Sequence, residues 1–244
     1  LYLTGLHIEQ YRHATYLPDD YYLEGLKRDE GDIRLNTAYG MLLFRRGLYR
    51  ESEKYFRKAL ERMTWKNPNP YNSEAYYDLG LTLFYQGRYE EAYDAFFKAT
   101  WSNEQQEMSF YFLAVIAARK DAYPLALELV EKGLIKNSHN IKARGLKAAI
   151  LRKMGRTEAE KAWLAENKKV DRFDYVSGYE EILLAPEEEQ EEKKLALKAQ
   201  MRNFHQNFIQ AAIDYMEGGF YEEALGMLNL CDAKWPMKSE AKRS

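Results

Sequence analysis

The segment Gly87-Arg88-Tyr89-Glu90-Glu91-Ala92 returns later in the chain as Gly219-Phe220-Tyr221-Glu222-Glu223-Ala224. A looser copy is Gly47-Leu48-Tyr49-Arg50-Glu51-Ser52, and Asp121-Ala122-Tyr123-Pro124-Leu125-Ala126 fills the same slot between the strict copies. Gly155-Arg156-Thr157-Glu158-Ala159 is a further copy, one residue shorter. Each copy lies between two stretches with helical periodicity. Around the best copy, the upstream stretch is Tyr76 to Leu83 and the downstream one carries Ala92, Phe96 and Ala99. Gly80 is small where a partner helix must cross closely, Tyr89 packs the turn, and Ala92, Phe96 and Ala99 seal the crossing. A pattern of small and large residues that recurs at a fixed interval marks stacked helix pairs.

The intervals set the register. Ala92 and Ala126 are 34 residues apart, and Ala126 and Ala159 are 33 apart. The interval from Ser52 to Ala92 is 40, which leaves room for an insertion around Trp65-Lys66-Asn67-Pro68-Asn69-Pro70. Ala224 follows Ala159 by 65, nearly two periods, so one degenerate pair belongs between them. Helix pairs are expected at 33–62, 73–102, 107–136, 140–168 and 205–234. In the fourth unit, alignment on Ala159 places Ala143, Leu146 and Ile150 in core slots and leaves Lys147 at a solvent edge. Alignment on Gly155 does not, and the Ala159 register is the expected one.

Outside these units, Pro18-Asp19-Asp20 reads as a helix start, with acids in the first turn. With a first helix drawn from residues 4–15 it makes an incomplete N-terminal repeat over 1–32. Four units follow over 33–168, then a degenerate pair or linker over 169–204, then a fifth unit and tail over 205–244. Together they form one continuous, all-α, right-handed solenoid of antiparallel helix pairs. Pro186-Glu187-Glu188-Glu189 opens a charged helix. Its acidic run reads as a solvated face, because Lys193, Lys194 and Lys198 follow within reach.

This pattern resembles the tetratricopeptide-repeat (TPR) family, whose unit is about 34 residues. Certain strings resemble one bacterial group within it: Gly5-Leu6-His7-Ile8-Glu9-Gln10-Tyr11-Arg12-His13-Ala14-Thr15, Asn67-Pro68-Asn69-Pro70, Glu74-Ala75-Tyr76-Tyr77-Asp78-Leu79-Gly80 and Lys98-Ala99-Thr100-Trp101. In that group a large N-terminal β-rich domain, similar to sugar-mutarotase sandwiches, precedes a long TPR region. The resemblance covers about residues 1–180. It implies that the chain is the helical part of a larger protein with a link to carbohydrate metabolism, and it supplies no catalytic residues. The opening at Leu1 rather than methionine fits that expectation.

Composition excludes several classes of function. At 46% hydrophobic and 30% charged, the chain has the balance of a folded protein rather than a disordered one. A net charge of −2 offers no overall basic field for a nucleic-acid backbone. The longest apolar runs, such as Phe110 to Ala118, fall short of a membrane span. No secretory signal opens the chain, so the expected location is cytoplasmic. The single Cys231 has no disulfide partner and sits where a small apolar residue suits the fifth unit, as core filler.

No catalytic constellation is present in the sequence, and no cofactor is expected. His7 and His13 are six apart and point to different sides of a helix, His139 lies in a loop, and His205 is isolated. There is no phosphate-binding glycine loop, no Gly-x-Ser-x-Gly and no zinc-spaced set of ligands. The chain reads as a non-enzyme. Glu9, Arg12 and His13 are candidates for an interdomain contact.

The expected site is a groove lined by the first helix of each pair. Its candidate residues are Phe44, Tyr77, Leu81, Phe84, Tyr111 and Val115, with Thr37, Met41 and Met108 in neighbouring slots. Arg119 follows, and Lys142, Arg152 and Lys153 make a basic rim. One class of TPR protein grips a C-terminal carboxylate with lysine, arginine and asparagine at set slots. Here those slots hold Thr37, Met41, Asp78, Met108 and Phe112, which disfavours such a clamp. The expected function is a protein-interaction scaffold that holds an apolar peptide or helix with an acidic end. The alternative is a structural arm that docks on the N-terminal domain of its own chain or self-associates.

Overall fold

The computed structural model of the protein describes residues 1–11 and 15–232, and among them it contains fourteen α-helices and no strand. Two compact units divide the chain, Leu1–Phe112 and Leu113–Ser244. Among the described residues no helix is long and apolar enough to cross a membrane.

The first unit contains α1 (Tyr2–Gln10), α2 (Pro18–Arg28), α3 (Ile33–Arg45), α4 (Tyr49–Thr64), α5 (Glu74–Tyr85), α6 (Tyr89–Ala99) and the start of α7 (Gln106–Arg119). α1 packs on α2, α3 on α4 and α5 on α6, and α3 also touches both α1 and α5. The pairs are held by apolar faces at helical spacing. Tyr22, Leu26, Leu35, Tyr39, Leu42 and Leu43 form one buried cluster across α2 and α3. The expected close crossing is present at Gly80, where a Cβ would come within 2.7 Å of the Phe96 ring. Arg12 and His13 lie outside the described residues.

The second unit contains the rest of α7, then α8 (Tyr123–Lys136), α9 (Ile141–Lys153), α10 (Thr157–Val170), α11 (Tyr175–Leu184), α12 (Glu187–Gln200), α13 (His205–Glu217) and α14 (Tyr221–Asn229). α9 is its hub and contacts α8, α10, α11 and α13. Its sequence fits that position, since Ala143, Leu146, Ala148, Ala149, Ile150 and Leu151 are all buried. Side-chain caps start α9 and α11: Asn140 accepts from the Ala143 N–H and Asp174 from the Ser177 N–H.

The turn named by the sequence repeat has one geometry at five places. Residues 47, 87, 121, 155 and 219 have φ of 76°, 76°, 56°, 66° and 82°. In the second pair the Gly87 N–H donates to the Phe84 carbonyl at 2.9 Å and the Arg88 N–H to the Leu83 carbonyl at 3.0 Å. The other four turns repeat both bonds. This is the paired bonding of a helix ended by a left-handed residue, which glycine adopts at low cost. Asp121 takes the same conformation with a side chain.

That geometry corrects the register of the fourth unit. Gly155 occupies the left-handed position, so Glu160 falls where Ala92, Ala126 and Ala224 stand in their own pairs, five residues after the turn. Ala159 is exposed and Glu160 is buried. Ala143, Leu146 and Ile150 are buried all the same, because α9 is enclosed by four helices.

Candidate functional site

The residues expected to line a groove divide between the two units. In the first, Phe44, Tyr77 and Leu81 are half-buried. Phe44 packs against Tyr49 and Tyr85 at centroid separations of 5.3 and 5.7 Å, and Tyr77 packs against Phe96 at 5.8 Å. Phe84 is buried among Tyr85, Tyr89 and Phe112, and Tyr111 is buried beside Phe112. These two rings are core, not lining. Val115, in the second unit, is core as well, within eight consecutive buried residues from Tyr111 to Ala118. Helical periodicity marks an apolar face, but a helix packed on several sides buries more than one face.

The cations of the second unit are likewise committed. Arg119 donates to the Met216 and Glu217 carbonyls at 2.8 and 3.0 Å and to the Tyr221 hydroxyl at 2.6 Å. Lys142 pairs with Asp214 at 2.8 Å. Arg152 bonds Glu180 at 2.5 Å and Glu223 at 2.6 Å, and Lys153 bonds Glu223 at 2.7 Å. The expected basic rim is therefore neutralised by carboxylates from α11, α13 and α14. The Tyr215 hydroxyl donates to Glu180 at 2.8 Å. Burial pushes the Glu180 carboxyl up, partly opposed by Arg152. Burial acts the same way on Glu223, but Lys153 and Arg152 together hold its carboxyl below the ordinary value. This cluster is a structural tie within the unit.

The first unit contains an open cleft. A cleft of about 680 Å³ is lined by one face of α1 (Tyr2, Leu6, Glu9), one face of α3 (Arg34, Thr37, Ala38, Met41, Arg45) and one face of α5 (Glu74, Ala75, Asp78). Arg62 and Met63 at the end of α4, the residues Asp29, Gly31, Asp32 and Ile33 leading into α3, and Asn72 before α5 complete the wall. Apart from the adjacent pairs Thr37/Ala38 and Glu74/Ala75, the spacing in each helix is three or four residues, so each row stands on one side. These are the first helices of three successive pairs, the position at which helix-pair repeats present a concave surface.

The electrostatics of the cleft are uneven. Arg45 is ion-paired with Glu9, which also accepts a hydrogen bond from the Tyr22 hydroxyl at 2.9 Å. Asp78 is only 4% exposed. Burial and, after it, the neighbouring Glu74 push the Asp78 carboxyl well above the ordinary range, against the opposing pull of Arg45. Burial lowers the Arg45 guanidinium from its usual value, with Asp78 acting the other way. Among the described residues no group of three or more His, Cys, Asp or Glu is placed to hold a metal.

Thr37 and Met41 line this cleft together with Glu9, a candidate for an interdomain contact, Asp78, which fills a slot of the disfavoured carboxylate clamp, and Arg45, which the sequence does not single out. Asp78 was the legible signal: it is the one carboxylate inside the apolar run Tyr76 to Leu83. Glu9 and Arg45 are far apart in sequence, and only the packing of α1 against α3 brings them together.

Stacked helix pairs with this turn and this crossing are the tetratricopeptide-repeat class of fold, and residues 33–100 match the tetratricopeptide repeat family model. Among solved structures the chain is similar to PilF of Pseudomonas aeruginosa, with a TM-score of 0.68 and 20% identity over 88% of this chain and 93% of that one. It is similar to the C-terminal part of a TPR repeat-containing protein of Cytophaga hutchinsonii, with a TM-score of 0.68 and 9% identity over 98% of each chain. YrrB, a TPR protein with an unusual peptide-binding site, matches with a TM-score of 0.51 and 18% identity over 91% of this chain and 98% of that one. At these identities the likeness is one of fold.

Proposed function

We propose that the chain is a non-catalytic protein-interaction scaffold that holds a polypeptide segment in the cleft between α1, α3 and α5. The observation that carries this reading is the cleft itself, about 680 Å³ of open space walled by the first helices of three successive pairs. Its half-buried Thr37, Ala38 and Met41 offer apolar contact, and its rim offers charge. A groove of this kind suits an extended chain or a single helix, whose side chains enter at regular intervals. The described peptide-binding site of YrrB, on a related fold, is consistent with it.

The test is a titration of the isotope-labelled full chain with a pool of acetylated, amidated nonapeptides. Amide shifts at Thr37, Met41 and Ala75 are expected to move, and Thr37→Trp, which fills the cleft, is expected to suppress them. Shifts that spread elsewhere and survive Thr37→Trp would refute the site. Sedimentation velocity over a hundredfold concentration range tests the alternative reading, in which the chain self-associates as a structural arm. A mass that rises with concentration and stops rising in Thr37→Trp would make a second copy the occupant.

A further inference from the structure

We infer that this cleft selects a segment bearing a cationic side chain, the ammonium of lysine or the guanidinium of arginine, and that Asp78 receives it. The inference rests on the cleft being the binding site. Five carboxylates and three guanidinium groups line the space, and most are already engaged. Asp32 caps α3 by accepting from the Leu35 N–H at 2.9 Å, and Asp29 accepts from the Gly31 N–H at 3.0 Å. Arg34 lies over the Tyr2 ring and Arg62 over the Trp65 ring. Arg45 and Glu9 hold each other.

Asp78 differs from all of these. It is buried, it lines the cleft, and among the described residues it makes no hydrogen bond or ion pair. Glu74, exposed one helical turn before it, adds a second carboxylate on the same side. A buried carboxylate without a partner is costly, and an incoming cation relieves that cost while gaining a charge-assisted hydrogen bond. An anionic side chain would meet the exposed Glu74 and, at Asp78, a buried carboxyl that Arg45 only partly offsets. An apolar one would leave the carboxylate as it is. The cation is the occupant that the geometry rewards, which reverses the acidic-ended ligand expected from the sequence.

The experiment retains peptide pools on the immobilised full chain and measures each pool by mass spectrometry. Three acetylated, amidated nonapeptide pools are used, with uncharged residues randomised around a central lysine, norleucine or glutamate. The lysine pool is expected to be retained about tenfold more than the norleucine pool, the factor that one charge-assisted bond supplies. Asp78→Asn is expected to bring the two within about twofold, and Glu74→Gln to weaken the preference part of the way. If circular dichroism shows Asp78→Asn to be unfolded, the Glu74→Gln result decides alone, and an unchanged preference overturns the inference. Equal retention of the lysine and norleucine pools, with both lost in Thr37→Trp, overturns the cation preference and leaves the cleft as a binding site. Retention of no pool, or retention indifferent to Thr37→Trp, overturns both.

Discussion

Gly80 on α5 faces the ring of Phe96 on α6 so closely that any Cβ would stand 2.7 Å from it. Phe96 is fully buried, so the ring has no room to retreat. Alanine at position 80 improves helix propensity by about 1 kcal/mol, but the overlap costs more, typically about 1–3 kcal/mol in a packed core. Gly80→Ala is expected to lower stability by up to about 2 kcal/mol in urea unfolding. A variant as stable as the parent would show that the two helices separate freely.

Gly87 gives the opposite control, because a Cβ there meets nothing within 4 Å. Its requirement is the backbone alone, with φ at +76°. Gly87→Ala is therefore expected to cost about 1–2 kcal/mol with no change in packing. Near-ultraviolet circular dichroism should stay unchanged while the urea midpoint falls. A midpoint equal to the parent's would mean that this turn tolerates a side chain as Asp121 does in the third.

Glu160 sets a pH dependence. It is 1% exposed, one carboxylate oxygen has no partner, and burial, with Glu180 adding to it, pushes its carboxyl up to about 7. In the unfolded chain the same group titrates near its ordinary value of 4.5. Between those values the folded state holds the proton that the unfolded state has lost. Stability from this group is therefore full below the unfolded value and falls as pH rises through the folded one. The loss is on the order of 3 kcal/mol when complete. Glu160→Gln removes the titration, so its advantage over the parent should grow by about that amount from pH 4 to pH 8. Urea unfolding of both proteins at the two pH values measures it, and an equal difference at both would contradict the assignment.

The sequence by itself determined the local events and their order. Glycine before Arg88, Arg156 and Phe220 ended helices because only a residue free to adopt positive φ closes that turn cheaply. The alternation of Gly80 with Phe96 announced a close helix crossing, since a missing Cβ and a large ring complement each other. Helix pairs and their turns followed from residue types and short intervals. Even there one local ambiguity had to be resolved by folding: Gly155 and Ala159 offered different registers, and the left-handed turn at Gly155 prevailed, burying Glu160 in place of an alanine.

Only the tertiary structure decided which faces stay open. Phe84 and Tyr111 carry the same periodicity as a lining row, yet neighbouring rings cover them. Arg152 and Lys153 read as a basic rim until α11 and α14 bring Glu180 and Glu223 against them across 28 and more residues of chain. Asp78 lines the cleft, buried on α5 and opposite residues of α1 and α3, only because those three helices are brought side by side. Periodicity reports which side of a helix is apolar, but coverage depends on what packs there. The partners of a charge are set by contacts distant in sequence, and those exist only once the helices have assembled.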